Sequence, residues 1–423
     1  MAARAASGIL RRLDMSHIRF LHVMSEGLDP TVIDAQVVDS IVAVREEGVP
    51  FDLLALTPPR MYYRRRAYYR HRVEEIAART GGRVEVVPHP RKANTIGAVF
   101  AAAVLALERW RPPVNRLVIH ARGDWSAYFA SLAQRIDRRI RYVFDARGDG
   151  EAEFRLEARE ASLDPRSLEA GVRRRREIRE RASRHAEHVL AVSTVLRDRI
   201  QAAHGIDPAR MTVVPCVADA RKFYLDDAER ENTRKELALE GRFVVIYAGR
   251  LVRWHYGAET CAVVRGILDA DPAAFFQILT PDQDEARSLA AETLPEGRYA
   301  IRSAVHAEVP RFLRAADLAM LLRAPDPLNE VACPTKFAEY MLCGLPVLIS
   351  AGIGDCSRFV EEQGAGAVLA APDAARAIEA VARLRAEPDA ARRARIARNA
   401  APLSRQRFAG DVARLFLRIA EAP

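Results

Sequence analysis

The chain has 423 residues, 49% of them hydrophobic and 29% charged, with a formal net charge of +9. That length is too great for one ordinary domain and provides ample apolar material for two cores, which excludes a disordered or fibrous protein. The cysteines, Cys216, Cys261, Cys333, Cys343 and Cys356, form no CxxC pair and no zinc-ligand cluster, so a reducing cytosol is expected rather than a disulfide scaffold. The opening MAARAASGILRRLDMSH lacks the apolar core of a signal peptide, and no later run reaches membrane-spanning length, which points to a cytoplasmic protein. Met15 precedes the first strand-like run, and residues 1–14 are left out of the expected fold.

In chain order, IRFLHVM (Ile18 to Met24) has strand length and composition. The loop MSEGLDPTVIDAQ (Met24 to Gln36) follows, then a helix between Thr31 and Glu47 with Val32, Ala35, Val38 and Ile41 at helical spacing. Further strands are expected at Phe51 to Leu56, Val84 to His89, Arg116 to Ala121, Arg141 to Ala146 and His188 to Ser193. Strands alternating with helices predict a parallel, doubly wound sheet.

Two basic runs interrupt this series. RMYYRRRAYYRHR (Arg60 to Arg72) sets seven basic side chains, counting His71, among four tyrosines, a composition suited to an anionic membrane interface. VRRRREIRERASRH (Val172 to His185) reads as a helix, either a solvated face or a surface for an anionic partner. No nucleic-acid-binding module accompanies either run.

After a break near MTVVPCVADARKFYLDDAEREN, a second series begins, with strands expected at Phe243 to Gly249, Ala274 to Thr280, Asp317 to Leu322, Leu345 to Ser350 and Gly366 to Ala370. The tail Ser404 to Ala422 is an amphipathic helix. The expected architecture is therefore α/β, with two Rossmann-like doubly wound domains facing a cleft. Residues 15–222 form the first, with the 404–423 helix packing back on it, and 223–403 form the second.

The most informative run is NEVACPTKFAEYMLCGLPVLIS (Asn329 to Ser350). It places Pro334 in a first helical turn, Lys336 and Glu339 three residues apart on one face, Gly344 as a stop and Pro346 entering a strand. Backbone amides at such a helix start suit a phosphate, and Glu339 could accept hydrogen bonds from vicinal hydroxyls. A Lys/Glu pair that merely supports the helix has the same spacing.

The run PTKFAEYMLCGLPV, with VIYAGR and AVSTVLRDRI, resembles the retaining GT-B glycosyltransferases of family 4, from about Val189 to Ala370. The N-terminal half is similar to them mainly in architecture. The resemblance implies a nucleotide-sugar bound by the second domain, an acceptor bound by the first, and sugar transfer with retention. In that family the final glutamate of an E-x7-E pattern holds the donor ribose, and Glu339 matches it. The earlier glutamate falls on Val331 here, which makes neighbouring Glu330 the candidate for the sugar-facing carboxylate. The family's glycine pair is replaced by Ala332 and Pro334.

Gly249 and Arg250 end the strand at YAGR, and Arg250 is expected to meet the donor diphosphate; a structural salt bridge is the other reading. The usual lysine five residues later is His255 here, so Lys336 or Arg253 is expected to supply the second cation. Pro334, Thr335, Lys336 and Glu339 complete the donor set.

In the first domain, Gly27 lies in the loop after the first strand, where close backbone approach is expected, and Asp29, Asp34 and Gln36 are choices for hydroxyl recognition, Asp29 also for a helix cap. His120 occupies the place of a family histidine that faces the transferred sugar. FDARGDGEAEF (Phe144 to Phe154) resembles the FDxRG element of some members, so Asp145 and Arg147 either shape the acceptor site or form an ion pair ordering the loop, with Asp149, Glu151 and Glu153 following.

Catalysis is thus expected to rest on His120, Arg250 and Glu330, with no protein nucleophile, no metal and no cofactor. The implied partners are a nucleotide-diphosphate-sugar and a sugar or lipid-linked glycan in cell-surface polysaccharide or glycolipid biosynthesis, at the inner membrane face. The alternatives are a nucleotide-sugar epimerase of the same fold and a non-catalytic donor-binding partner of an active transferase.

Overall fold

A computed structural model describes residues 15–29, 33–90, 95–250 and 256–422. The chain divides into two units, 1–215 with 405–423, and 216–404.

In the first unit the apolar runs form β1 (Ile18–Met24), β2 (Phe51–Thr57), β3 (Val84–Pro88), β4 (Arg116–Arg122), β5 (Ile140–Ala146), β6 (His188–Ala191) and β7 (Met211–Val213). They make one parallel sheet in the order β3-β2-β1-β4-β5-β6-β7. The central strands are buried along almost their whole length, as expected where helices cover both faces. The edge strands β3 and β7 are only partly buried.

Because chain order reverses at β1 and β4, the loops leaving their carboxyl ends diverge and open a crevice there. The helix Arg405–Glu421 returns to this unit. Phe416, fully buried, meets Phe51 edge-on at 4.9 Å and Phe20 at 6.4 Å between ring centroids.

The second unit holds β8 (Phe243–Ala248), β9 (Ala274–Leu279), β10 (Tyr299–Arg302), β11 (Leu318–Leu321), β12 (Val347–Ser350) and β13 (Gly366–Leu369), parallel in the order β10-β9-β8-β11-β12-β13. This is a Rossmann strand order with its reversal between β8 and β11. Passage between the units falls at Pro215/Cys216, ahead of the expected 222/223. The reason is local: the Cys216 amide already bonds Cys333 Sγ at 3.1 Å, and Ala218 pairs with Ser404, all within the second unit.

Candidate active site

In the second unit the loop after β8 is set by Gly249, whose φ of +148° would strain any residue with a side chain. Tyr247 Oη donates to the Arg250 carbonyl at 2.5 Å. Burial raises the pKa of that tyrosine, so it remains a donor. The Arg250 side chain projects outward, 66% exposed, with Nε 3.3 Å from Asp282. Arg253 and His255 lie outside the described residues.

The helix Thr335–Leu342 starts one residue later than expected, with Pro334 as its N-cap rather than inside the first turn. The ring fixes φ at −64° while ψ of 124° keeps the cap extended, and proline offers no capping side chain. Phe337, Ala338, Tyr340 and Met341 bury the inner face. Tyr340 Oη accepts from the Ala248 amide at 3.2 Å and so fixes the helix against the end of β8. Gly344 ends the helix at φ +70°, where a Cβ would run into the Arg393 carbonyl.

Glu339 is 2% exposed, and its Oε2 is buried without a hydrogen-bond partner among the described residues. Lys336 Nζ stands 3.4 Å from it, an ion-pair distance without hydrogen-bond alignment. A carboxylate oxygen so enclosed is costly unless a donor group reaches it.

Arg323, which the sequence reading missed, follows β11 at the same end of the sheet. Its amide bonds Ser350 Oγ at 2.9 Å, and its guanidinium donates to Asn329 Oδ1 at 3.2 Å. Asn329 is itself buried and donates to the Ala324 carbonyl at 2.8 Å. Burial pulls the Arg323 pKa down, Tyr247 and the thiols of Cys356, Cys216 and Cys333 oppose this, and among the described residues no carboxylate pairs with it. A half-buried cation without an acid partner is suited to a bound anion. The signal in the sequence was an arginine directly after the apolar run DLAMLL.

Glu330 closes the short helix Pro327–Glu330 and is exposed, whereas Val331 is fully buried in the core.

In the first unit β1 and β4 pair with His22 directly opposite His120, ring centroids 4.4 Å apart. His22 is 2% exposed; burial first, then His120 and Arg122, lowers its pKa, so it is neutral. Both Nε2 atoms are buried without a hydrogen-bond partner among the described residues, although His120 Nε2 is 3.3 Å from Asp145 Oδ2. Burial alone would raise the Asp145 pKa, but Arg147, His120 and Arg122 outweigh it and hold the carboxyl well below its usual range.

Arg147 reaches Asp145 Oδ1 at 3.4 Å, and Arg122, a second missed residue, approaches Asp145 Oδ2 at 4.0 Å. Gln36 Oε1 accepts from Arg122 at 2.7 Å and Arg147 at 3.2 Å. The predicted residues His120, Asp145, Arg147 and Gln36 therefore converge at the carboxyl ends of β1, β4 and β5.

Several other predicted residues serve the fold. Gly27 is backed by Met61 and the Tyr69 hydroxyl, which a Cβ would strike. Asp34 pairs with Arg72 at 2.9 Å and Arg79 at 2.8 Å, and Asp29 with Arg65 at 2.7 Å. Part of the tyrosine-rich run is thus internal: Tyr69 and Arg72 are buried, and Tyr68 and Arg72 both donate to the Leu28 carbonyl. Arg60, Arg64, Arg66 and Arg70 stay exposed.

Asp149 caps the helix Gly150–Glu160, and Glu151 pairs with Arg155 and Arg176. In the second basic run Arg179 holds Asp124 at 2.9 Å and the Gly148 carbonyl at 2.6 Å, while Arg175 lies over Trp125 and Phe154. Much of that run ties helices together and is not a solvated face.

Residues 33–216 match the glycosyl transferase 4-like domain, and residues 229–401 match the glycosyl transferases group 1. The chain belongs to the group 1 glycosyltransferases. No curated protein sequence matches it significantly.

Among solved structures this glycosyltransferase is similar to Anabaena HepE in complex with UDP, at 17% identity and a TM-score of 0.66 over 95% of this chain and 98% of that one. A second HepE structure, with UDP and glucose, gives 18% identity and a TM-score of 0.64 over 96% and 99% of the two chains. A glycosyltransferase from Rickettsia africae gives 12% and 0.67 over 96% and 99%. WaaG, a glycosyltransferase involved in lipopolysaccharide biosynthesis, gives 14% and 0.60 over 96% and 100%. The two parallel sheets of this glycosyltransferase are those of the GT-B fold.

Proposed function

We propose that the protein transfers a sugar from a nucleotide-diphosphate-sugar to an acceptor hydroxyl with retention of anomeric configuration. The observations that carry this are two in the second unit: among the described residues, a buried carboxylate oxygen of Glu339 has no hydrogen-bond donor, and the half-buried Arg323, which follows β11, has no acid partner. A nucleotide diphosphate offers both complements, ribose hydroxyls for the first and phosphate oxygens for the second.

In this reading Glu339 holds the ribose. The amides of Thr335 and Lys336, at the start of a helix cushioned by Pro334, receive the diphosphate together with Arg250, presented by Gly249. Arg250 and Lys336 neutralise the departing diphosphate, with Arg323 as a further cation, and no metal or cofactor takes part. Glu330 is proposed to meet the donor sugar's hydroxyls and His120 to face the transferred sugar. A donor phosphate oxygen takes the acceptor's proton.

The first unit binds the acceptor, with Gly27, Asp145 and Arg147 on that side. UDP-glucose is the first donor to test, since HepE was crystallised with it. We further propose an acceptor in cell-surface polysaccharide or glycolipid assembly, a lipid-linked glycan at the cytoplasmic membrane face, with exposed arginines of Arg60 to Arg72 against anionic lipid. WaaG's role in lipopolysaccharide biosynthesis supports that context. Among the described residues no helix is long and apolar enough to cross a membrane, so such an association would be peripheral.

The test is calorimetric titration of UDP and UDP-glucose into the wild type and Glu339→Ala, followed by labelled donor with and without candidate acceptors. Glu339→Ala should weaken both ligands about tenfold or more, the scale of lost hydrogen bonds to a charged group. Unchanged binding would remove Glu339 from the donor site.

A further inference from the structure

The helix Thr95–Glu108 has one ionisable residue, Glu108, and that side chain is buried against Arg19 at 2.8 Å. Its inner face uses Gly97, Ala98, Ala101, Ala102 and Leu105 to pack in the fold. Its outer face should then be polar, but is not: Ile96, Val99, Phe100, Ala103 and Leu107 lie at helical spacing along it, all exposed, and Trp110 follows. Of the ten large hydrophobic residues exposed among the described residues, six lie between Ile96 and Ile136, a concentration on one stretch of the chain rather than the scatter normal for a surface.

Within the segment 95–141 that carries the stripe, the exposed charge has one sign. No carboxylate between 95 and 141 is exposed, since Glu108 is buried, Asp124 is held by Arg179 and Asp137 by Arg109. Arg111, Arg135, Arg138 and Arg139 are exposed and form no ion pair among the described residues. The helix Gly123–Ile136 packs against the helix Thr95–Glu108, and Ser131, Gln134, Arg135, Arg138, Arg141 and His185 line an open cavity of about 600 Å³, large enough for a phospholipid headgroup. His185 protonates less readily than usual, through burial first and then Arg181, Arg135, Arg184 and Arg210.

We propose that this face, the apolar stripe Ile96 to Trp110 with the arginines at its carboxyl end, docks on an anionic phospholipid bilayer. Apolar side chains enter the boundary between headgroups and acyl chains, Trp110 lies at headgroup depth, and the arginines meet lipid phosphates. A protein partner of comparable area would ordinarily be matched by mixed charge at the rim, whereas the exposed charges without an ion pair at this end of the stripe, among the described residues, are Arg111, Arg135, Arg138 and Arg139. The inference rests on the glycosyltransfer reading only in that a lipid-linked acceptor gives the contact a use.

The test is flotation of the full chain with vesicles of phosphatidylcholine alone and of phosphatidylcholine with phosphatidylglycerol. Wild type should float with the anionic vesicles, and Ile96→Ser/Phe100→Ser/Trp110→Ser should lose about tenfold or more of that binding. Arg135→Gln/Arg138→Gln/Arg139→Gln should lose the preference for anionic lipid. Should the serine variant fold poorly, brominated lipid should quench wild-type tryptophan emission, and Trp110→Phe should remove the quenching. The proposal is overturned if wild type ignores anionic vesicles, if a folded serine variant floats like wild type, or if gel filtration shows a dimer that the serine variant dissociates. UDP-glucose titration separates the two readings: lost vesicle binding with donor binding intact spares the transferase reading, and the reverse spares this one.

Discussion

Replacing Arg323 by methionine should move stability and donor binding independently. The side chain is half-buried, bonds Asn329 Oδ1 at 3.2 Å and has no acid partner among the described residues. Exchanging this half-buried cation for an apolar group of similar volume removes a desolvation cost, a change that is neutral to stabilising by about 1–4 kcal/mol where the charge is fully buried. Against this, Asn329 Oδ1 loses a charge-assisted bond and is left unpaired, a cost of about 1–3 kcal/mol. The two nearly cancel, so the ligand-free melting temperature should change by no more than roughly 5 °C in either direction.

A phosphate oxygen reached by Arg323 would contribute about 1.5–3 kcal/mol, and its loss should raise the Kd for UDP by roughly 10- to 150-fold. Calorimetric melting of the ligand-free protein and isothermal titration with UDP measure the two effects. If Arg323→Met melted more than about 10 °C early and still bound UDP like wild type, Arg323 would be a structural arginine and its donor role refuted.

Two further outcomes concern the first unit. Burial, with Arg418 and Arg210, lowers the His188 pKa to about 4, so the folded state resists a proton that the unfolded chain accepts near pH 6.5. Its stabilising effect is therefore present above about pH 6.5 and lost as pH falls toward 4; urea midpoints measured across that window should fall less steeply in His188→Gln than in wild type. Phe416→Ala should destabilise by about 3–5 kcal/mol, because the ring is fully buried against Phe20 and Phe51; a urea midpoint within error of wild type would show that the C-terminal helix does not hold this core.

The strands were legible wherever helices bury them on both sides, because double burial demands an uninterrupted apolar run. IRFLHVM and FVVIYA became β1 and β8 with no more than one residue's difference. The edge strands β7 and β10 were not foreseen, and both are only partly buried, so MTV and YAIR carry no such run. The arginines were least legible. Arg72 and Arg179 read as surface cations, yet their partners, Asp34 and Asp124, lie 38 and 55 residues away in sequence, and only the fold brings them together. Arg323 escaped for the complementary reason: its character comes from partial burial without an acid partner, which composition and spacing do not encode.

The buried Val331 sharpens the reading of the donor site. In family 4-like sequences this register carries a glutamate; here the position is a core residue, so a carboxylate introduced by Val331→Glu would have to leave the core or unfold it. The short helix Pro327–Glu330 instead turns Asn329 inward to hold Arg323 and leaves Glu330 exposed at its end. The segment thus trades a direct acidic group at 331 for an amide that orients a cation. The ribose contact proposed for Glu339 is independent of this change, since Tyr340 fixes that helix to the end of β8 through the Ala248 amide. What differs between this chain and its relatives should therefore appear in the donor sugar and the diphosphate contacts, while the nucleoside contacts persist.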